Sequence, residues 1–143
     1  MVKFVPVDLT LDLRSRILRN GKPLSECTFP TDQVEGIFHL AFYVDEEIAT
    51  IASFFPNNFK DSKELGYQLR GMATDLQHAG KGYGKQLIEF AVEYIKNTNA
   101  QYIWCNARSS AIKFYQKLGF ETVSEEFEIA GVGPHYEMIL KLY

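Results

Sequence analysis

The stretch between residues 67 and 95 constrains the fold more than any other part of the chain. Residues 67–74 alternate enough to predict a β-strand, and residues 75–78 predict a turn. The glycine-rich segment Ala79-Gly-Lys-Gly-Tyr-Gly-Lys85 comes next. In residues 86–95, apolar side chains recur at helical spacing: Leu87, Ile88, Ala91, Val92 and Ile95. This pattern predicts a helix that packs one face on a sheet, so the stretch is a strand, a glycine turn and a helix.

The glycine turn predicts an anion-binding site. The first turn of a helix has unpaired N–H groups and a partial positive charge. Gly80, Gly82 and Gly84 let a ligand approach the backbone, and Lys81 and Lys85 add positive charge. Phosphate and pyrophosphate bind at such helix starts. The alternative is a tight turn that binds no ligand.

Two well-known phosphate loops do not fit these residues. A Walker loop would need glycine where Ala79 stands and a hydroxyl residue where Gln86 stands. A dinucleotide fingerprint requires an acid at the end of the following strand. That strand ends in Trp104-Cys-Asn106, which contains no acid.

A second motif lies downstream. Residues 101–105 predict a strand and residues 107–118 a helix. The segment Ala111-Ile-Lys-Phe-Tyr-Gln-Lys-Leu-Gly-Phe120 is similar to the Ala-x-x-x-Tyr-x-Lys-x-Gly-Phe segment of the GNAT superfamily of acyl-CoA-dependent N-acetyltransferases. Ala79-Gly-Lys-Gly-Tyr-Gly84 is similar to that family's Gln/Arg-x-x-Gly-x-Gly/Ala loop. Because both motifs occur in the family's order, the chain resembles a GNAT acetyltransferase.

The resemblance and the remaining pattern predict one α/β (α+β) domain over residues 1–143. We expect a mixed, mostly antiparallel sheet of about seven strands, with a splayed central pair, flanked by about three or four helices. Residues 3–7 predict a strand, residues 9–19 a helix capped by Asp8 or Thr10 and stopped by Asn20-Gly21, and residues 22–35 a long loop. Residues 36–44 and 48–55 predict one hairpin, and residues 121–129 and 135–142 another.

The resemblance implies acetyl-CoA as the cofactor, with CoA as the product. Its pantetheine arm would pair with the free backbone groups between strands 65–74 and 101–107. The expected cofactor-binding residues are Met72, Ala73, Thr74, Ala79, Gly80, Lys81, Gly82, Tyr83, Gly84, Lys85 and Arg108. Ala79 departs from the family's Gln or Arg, and Arg108 departs from an Asn that the family often has. Arg108 could pair with phosphate or an acidic substrate, or be an ordinary surface charge.

The implied reaction needs a proton donor and a proton acceptor. Tyr115 stands at the family's tyrosine and is the expected general acid for the departing thiolate; the alternative is a core aromatic residue. An amine with a pKa of about 10 must lose a proton before it attacks. The candidate bases are His135, Glu64, His39 and Asp32, and ordered water is the alternative. Cys105 is expected to be a small buried residue rather than an acyl carrier.

The resulting hypothesis is an N-acetyltransferase acting on a small-molecule or peptide primary amine. The alternatives are an acyl-CoA-binding sensor without catalysis and an interaction domain. Loops 22–35, 56–63 and 130–135 are the expected substrate wall. Their acidic residues suggest a cationic amine: Glu26, Asp32, Glu35, Asp61 and Glu64.

Composition narrows the expected partners and location. The net charge is −3 without a basic block, which argues against nucleic acid. We expect a cytoplasmic protein with no membrane association, because no signal peptide or apolar run of membrane length occurs. The three histidines, His39, His78 and His135, are too far apart in the sequence to match a zinc-binding motif. We therefore expect no metal. Cys27 and Cys105 are expected to be reduced, and a homodimer is compatible with the sequence.

Overall fold

A mixed sheet of eight strands organises the computed structural model, which describes all 143 residues. The strands are β1 (Val2–Val5), β2 (Phe38–Val44), β3 (Glu47–Pro56), β4 (Gly66–Thr74), β5 (Tyr102–Arg108), β6 (Glu121–Thr122), β7 (Phe127–Ile129) and β8 (Gly133–Lys141). Their order is β1-β2-β3-β4-β5-β8-β6, and β7 also pairs with β8. Every pairing is antiparallel except that between β4 and β5. The predicted mixed, mostly antiparallel sheet is therefore confirmed.

Three helical segments flank the sheet. The first, called α1, joins a 3-10 turn (Val7–Thr10), an α-turn (Leu11–Leu13) and a π-turn (Arg14–Leu18). The second, α2, is the α-helix Tyr83–Ile95, and the third, α3, is the α-helix Ile112–Lys117. Shorter 3-10 turns are Leu24–Glu26, Pro30–Gln33, Leu76–His78 and Ser109–Ala111. None of these helices has both the length and the apolar character needed to cross a membrane.

The parallel strands β4 and β5 separate soon after they meet. They pair only at Gly66 with Tyr102, Tyr67 with Ile103 and Gln68 with Trp104. Both strands then continue, to Thr74 and Arg108, without pairing to each other. This part of β4 also contains a bulge in its pairing with β3. Between the pairs Arg70–Ser53 and Ala73–Ile51, β4 has two residues, Gly71 and Met72, where β3 has one, and Gly71 has a φ of +68°. The predicted splay is therefore present, and it leaves a gap between the two strands.

Helix α2 follows the sequence pattern closely. Its buried residues are Gly84, Leu87, Ile88, Ala91 and Ile95, which lie on the face predicted from the helical spacing. They join one core with sheet residues such as Leu40, Phe54 and Ile103. Burial of this face fixes the helix on β2 and β3, so the helix start lies beside the end of β4.

Two predicted elements differ in their bounds. The helix predicted for residues 107–118 was wrong at its start, because Ala107 and Arg108 extend β5 and pair with Tyr136 and His135 of β8. The strand predicted for residues 121–129 is split into β6 and β7. At the break, the Ser124 hydroxyl accepts a hydrogen bond from the Glu137 N–H at 2.9 Å, which replaces a backbone partner. The sheet consequently has eight strands rather than seven.

The predicted helix at residues 9–19 is present but irregular. Its predicted apolar face is only partly buried, since Leu13 is 2% exposed and Leu9 is 46% exposed. Asp8 and Thr10 provide no side-chain cap, which corrects that prediction; the Thr10 hydroxyl instead donates to the Val7 carbonyl at 2.7 Å. The stop at Asn20-Gly21 is confirmed, with φ values of +52° and +77°.

A buried ion pair connects α1 to the long loop that follows it. The Arg14 guanidinium donates to both carboxylate oxygens of Asp32, at 2.8 and 3.0 Å, and both side chains are almost fully buried. Arg14 also donates to the Cys27 carbonyl and to the Ser53 hydroxyl, and Ser53 lies 2.6 Å from Nδ1 of His39. Burial alone would raise the pKa of Asp32, but hydrogen bonds from Arg14 and the Phe29 N–H lower it. The pair therefore fixes the 22–35 loop on β3.

We predict that Asp32→Asn lowers the free energy of unfolding by about 3–5 kcal/mol, because it leaves a buried guanidinium without its counter-charge. Urea denaturation measures this change. Asp12→Asn is the matched control: Asp12 pairs with Arg16 at the exposed surface, so its loss should cost less than about 1 kcal/mol. Because the pKa of Asp32 is lowered in the folded protein, its contribution is present above about pH 4 and disappears as the pH falls. Equal stability of the two variants at pH 7 would contradict this role.

Candidate functional site

The glycine turn opens onto a cavity of 490 Å³, called here the glycine-loop cavity. All seven residues from Ala79 to Lys85 line it. The remaining lining residues come from the end of β4, the turn after it, and α3: Thr74, His78, Phe114, Lys117 and Leu118. Three lysines, Lys81, Lys85 and Lys117, give the cavity its charge, and no Asp or Glu lines it.

Glycine occupies the three positions of this turn for different structural reasons. Gly80 and Gly82 have φ values of +76° and +80°, and a Cβ on either would meet no atom within 4 Å. Their conformation favours glycine, and the space above them is open. Gly82 is the N-cap of α2, so the first N–H groups of the helix are free to bind an anion. A Cβ on Gly84 would lie only 3.0 Å from Met72 and 3.1 Å from Phe114, so Gly84 serves close packing.

A second cavity, of 380 Å³, occupies the gap between β4 and β5 and is called here the strand-gap cavity. Its walls are residues 68–72 of β4, residues 105–108 of β5, the end of α1, the 22–35 loop, α3 and the turn before β8. From these elements come Arg19, Phe29, Arg70, Arg108, Tyr115 and His135. Both β4 and α3 contribute to both cavities, so the two cavities lie along one gap.

Tyr115 lies on the strand-gap cavity and is 6% exposed. Its ring packs edge-on against Phe114 and Phe120, so it belongs to the core and to the cavity wall at once. Burial, and then the neighbouring Cys105, raise the pKa of Tyr115 well above its ordinary value, so the phenol stays protonated. Burial also raises the pKa of Cys105 to about 12, which keeps that side chain a thiol. A protonated phenol is a competent proton donor.

His135 is the candidate base that lines the same cavity as Tyr115. It is 4% exposed, and its Nδ1 lies 2.7 Å from the Gly133 carbonyl. Because a carbonyl can only accept a hydrogen bond, Nδ1 carries the hydrogen. The neutral ring then has its lone pair on Nε2, which is the nitrogen that could accept a proton.

The other candidate bases lie outside both cavities. His39 is buried and lies 2.6 Å from the Ser53 hydroxyl, and burial lowers its pKa. Asp32 is held by Arg14, and Glu64 is exposed in the loop before β4. The structure thus brings only His135 of these four residues to Tyr115.

The remaining predicted residues divide between the cavities. Met72 lines the strand-gap cavity, Thr74 lines the glycine-loop cavity, and Ala73 between them is buried against Leu13 and Ile51. Arg108 is half-buried on the strand-gap cavity, where it donates to the Leu18 carbonyl at 3.2 Å. Arg108 is therefore apart from the lysines of the glycine loop. It precedes the 3-10 turn Ser109–Ala111, but it is a half-buried cavity residue rather than an ordinary surface charge.

Comparison with known proteins identifies the family. The profile of the Acetyltransferase (GNAT) domain matches residues 30–142. The chain belongs to the GNAT acetyltransferase family. A relative in Bacillus subtilis (strain 168), named as the uncharacterized N-acetyltransferase YitI, is 37% identical over 138 residues, covering 96% of this chain and 93% of the relative.

Solved structures give the same GNAT fold. Escherichia coli ElaA matches with a TM-score of 0.76 and 19% identity, over 98% of this chain and 99% of that one. An aminoglycoside 6'-N-acetyltransferase, whose crystal structure contains coenzyme A, matches with a TM-score of 0.72 and 14% identity, over 100% and 97%. At these identities the likeness establishes the fold.

Several cavity residues have no clear signal in the sequence. Lys117 reaches the glycine-loop cavity from α3, although only its place in the Lys-x-Gly-Phe motif distinguishes it. Arg19, Phe29 and Arg70 come from three separate segments that only the folded chain brings together. The acidic loop residues that suggested a cationic substrate line neither cavity, so that suggestion loses its basis.

Proposed function

We propose that this GNAT protein transfers an acetyl group from acetyl-CoA to a primary amine by direct attack. The observation that carries the proposal is the single gap between β4 and β5. Beside one end of this gap lies a helix start of the kind that binds anions, and the buried phenol of Tyr115 lies on its wall. This arrangement matches what the transfer needs, because a charged carrier, a neutral arm and a proton donor must lie in line.

The residues around the glycine loop fit the carrier. The open backbone at Gly80 and Gly82 and the free N–H groups at the start of α2 suit a pyrophosphate, with Lys81, Lys85 and Lys117 as counter-charges. Ala79, where the family has Gln or Arg, still lines the cavity. The neutral arm would pair with β4 at Met72, Ala73 and Thr74, which β5 leaves unpaired.

The chemistry divides among few groups. Acetyl-CoA supplies an activated acyl group on a thiol leaving group. The free N–H groups of β4 in the gap can stabilise charge that develops on a carbonyl oxygen. Tyr115, whose phenol is protonated at neutral pH, donates its proton to the departing sulfur. Nε2 of His135 accepts the proton of the attacking amine, while the bond from Nδ1 to Gly133 holds the ring in place.

CoA binding at the glycine loop is the first test. CoA at ~100 times its Kd should stabilise the protein by roughly 2.7 kcal/mol, which a thermal-shift titration detects. Gly82→Asp places a carboxylate where the pyrophosphate is proposed to bind and should abolish the shift. Gly21→Asp is the matched control: Gly21 has a φ of +77° and open space around its Cβ, so it carries a similar backbone strain outside the loop. ADP and NAD are run beside CoA, and an equal shift with NAD would reject the assignment.

The role of Tyr115 is tested by Tyr115→Phe, which removes only the hydroxyl. We expect kcat to fall by about a hundredfold or more, as for loss of a general acid, while CoA affinity stays unchanged. Steady-state kinetics with acetyl-CoA and calorimetry with CoA measure the two effects. Tyr143→Phe removes an exposed hydroxyl outside both cavities and should change neither. An unchanged kcat in Tyr115→Phe would exclude this residue as the acid.

The role of His135 is tested by His135→Gln against Glu64→Gln. His135→Gln should lower kcat/KM by about a hundredfold at pH 7, because the amine is then protonated and has no base. The deficit should shrink as the pH approaches the amine pKa of about 10, where free amine is abundant. Glu64→Gln should behave like the native protein, since Glu64 is exposed outside the cavity. A deficit that is the same at every pH would mean that His135 has only a structural role.

A further inference from the structure

The strand-gap cavity collects positive side chains that form no ion pair within the protein. The chain has five arginines, and Arg14 and Arg16 form ion pairs with aspartates. The other three, Arg19, Arg70 and Arg108, form no ion pair, and all three line this cavity. No Asp or Glu is among the 17 residues that line it.

The three guanidinium groups keep most of their donors free. Arg70 donates to the Thr31 hydroxyl at 3.3 Å, and Arg108 donates to the Leu18 carbonyl at 3.2 Å. Each guanidinium has five N–H donors, so most remain available to a ligand. The Phe29 ring supports two of the three groups: the Arg70 guanidinium carbon lies 4.2 Å from its centroid and that of Arg19 lies 5.5 Å away. The groups are therefore held in place rather than dispersed in solvent.

This arrangement is unfavourable without an anion. Burial, Arg19 and Arg14 all lower the pKa of Arg70, so its neighbours disfavour its charge. The charge of Asp32 raises the pKa of Arg70, but both carboxylate oxygens of Asp32 are already bonded by Arg14. An anionic ligand group would offset the repulsion and accept the free N–H donors in a forked geometry.

The phosphates of the carrier are not the anion that binds these arginines. They have a separate proposed site at the glycine loop, with its own lysines, and the two cavities share no lining residue. The strand-gap cavity is also where Tyr115 and His135 lie, so the acceptor of the proposed reaction enters this cavity beside the neutral arm of the carrier.

We infer that the acceptor is a small amine that carries an oxyanion group, a carboxylate in the first place, bound by Arg19, Arg70 and Arg108. The inference rests on the proposed function and names its substrate class. In the transfer, the amine nitrogen forms a bond to the acyl carbon while the carbon–sulfur bond breaks. The amine proton passes to His135 and the proton of Tyr115 passes to the sulfur. Solvent then carries a proton from His135 back to Tyr115, and the products are an N-acetyl amino acid-like compound and CoA.

The test uses amines in matched pairs. Amino acids are compared with the amides of the same amino acids, O-phosphoethanolamine with ethanolamine, and the diamine putrescine represents the cationic class. We expect kcat/KM for the acids to exceed that for their amides by about tenfold or more, since a charge-assisted contact is lost in the amide. Better turnover of O-phosphoethanolamine than of the amino acids would overturn the carboxylate assignment.

Variants of the arginines test whether these side chains cause the preference for acids. Arg70→Gln should raise KM for the acids by about tenfold with little change in kcat, and Arg70→Lys should retain part of the preference because it keeps the charge. Lys63→Gln removes an exposed charge outside both cavities and is the control for net charge. The inference would be overturned if the native protein used amides and acids equally. It would also be overturned if the preference for acids survived in both Arg70→Gln and Arg19→Gln.

A binding measurement separates this inference from the proposed function. Calorimetry with the amino acids in the presence of CoA detects the anion site without any transfer. Binding that requires Arg70, without acetylation, would reject the transferase function and keep the anion site. Acetylation of putrescine or of the amides in preference to the acids would keep the transferase function and reject the anion site.

Discussion

β4 and β5 run parallel and share only three residue pairs, and the remainder of the structure depends on their separation. Two strands that part leave backbone groups without partners, which is costly in a buried sheet unless something else binds there. The bulge at Gly71 and Met72 turns β4 further from a regular ladder. Helix α2, fixed by its apolar face, sets the glycine turn beside the end of β4, and α3 sets Tyr115 against the gap. Both cavities follow from this one departure from regular pairing.

The elements that periodicity predicts well are those whose apolar faces are continuous. The spacing of Leu87, Ile88, Ala91 and Ile95 gives α2 correctly, because burial of those side chains determines its position. The sequence predicts α1 less well, because its most buried large side chain is Arg14, which a hydrophobic pattern counts as exposed. The ion pair with Asp32 offsets the cost of burying Arg14, and Asp32 lies in a different segment of the chain. A local pattern cannot reveal a long-range ion pair of this kind.

In the candidate site, too, the residues in local motifs could be predicted, whereas those brought together by folding could not. The glycine turn and Tyr115 lie in contiguous motifs, and the structure puts both along one gap. The base could not be chosen from sequence, since His39, Glu64, Asp32 and His135 differ only in their folded positions. The charge of the proposed acceptor site was harder still to predict, because acidic residues are common in the surrounding loops while the cavity lining is basic. Loop composition records what a loop exposes to solvent, whereas the cavity is lined by the few side chains that turn inward.

The two cavities differ in charge from the protein as a whole. The protein carries a formal net charge of −3. Its cavities nevertheless contain six cationic side chains, Arg19, Arg70, Arg108, Lys81, Lys85 and Lys117, and no carboxylate lines either one. Clefts lined by one sign of charge concentrate ligands of the opposite sign. The strand-gap cavity also has uncharged lining residues, among them Met72 and Tyr115. The lysines of one cavity and the arginines of the other therefore fit the two anionic molecules of the proposed reaction, the phosphate-bearing carrier and the carboxylate-bearing amine.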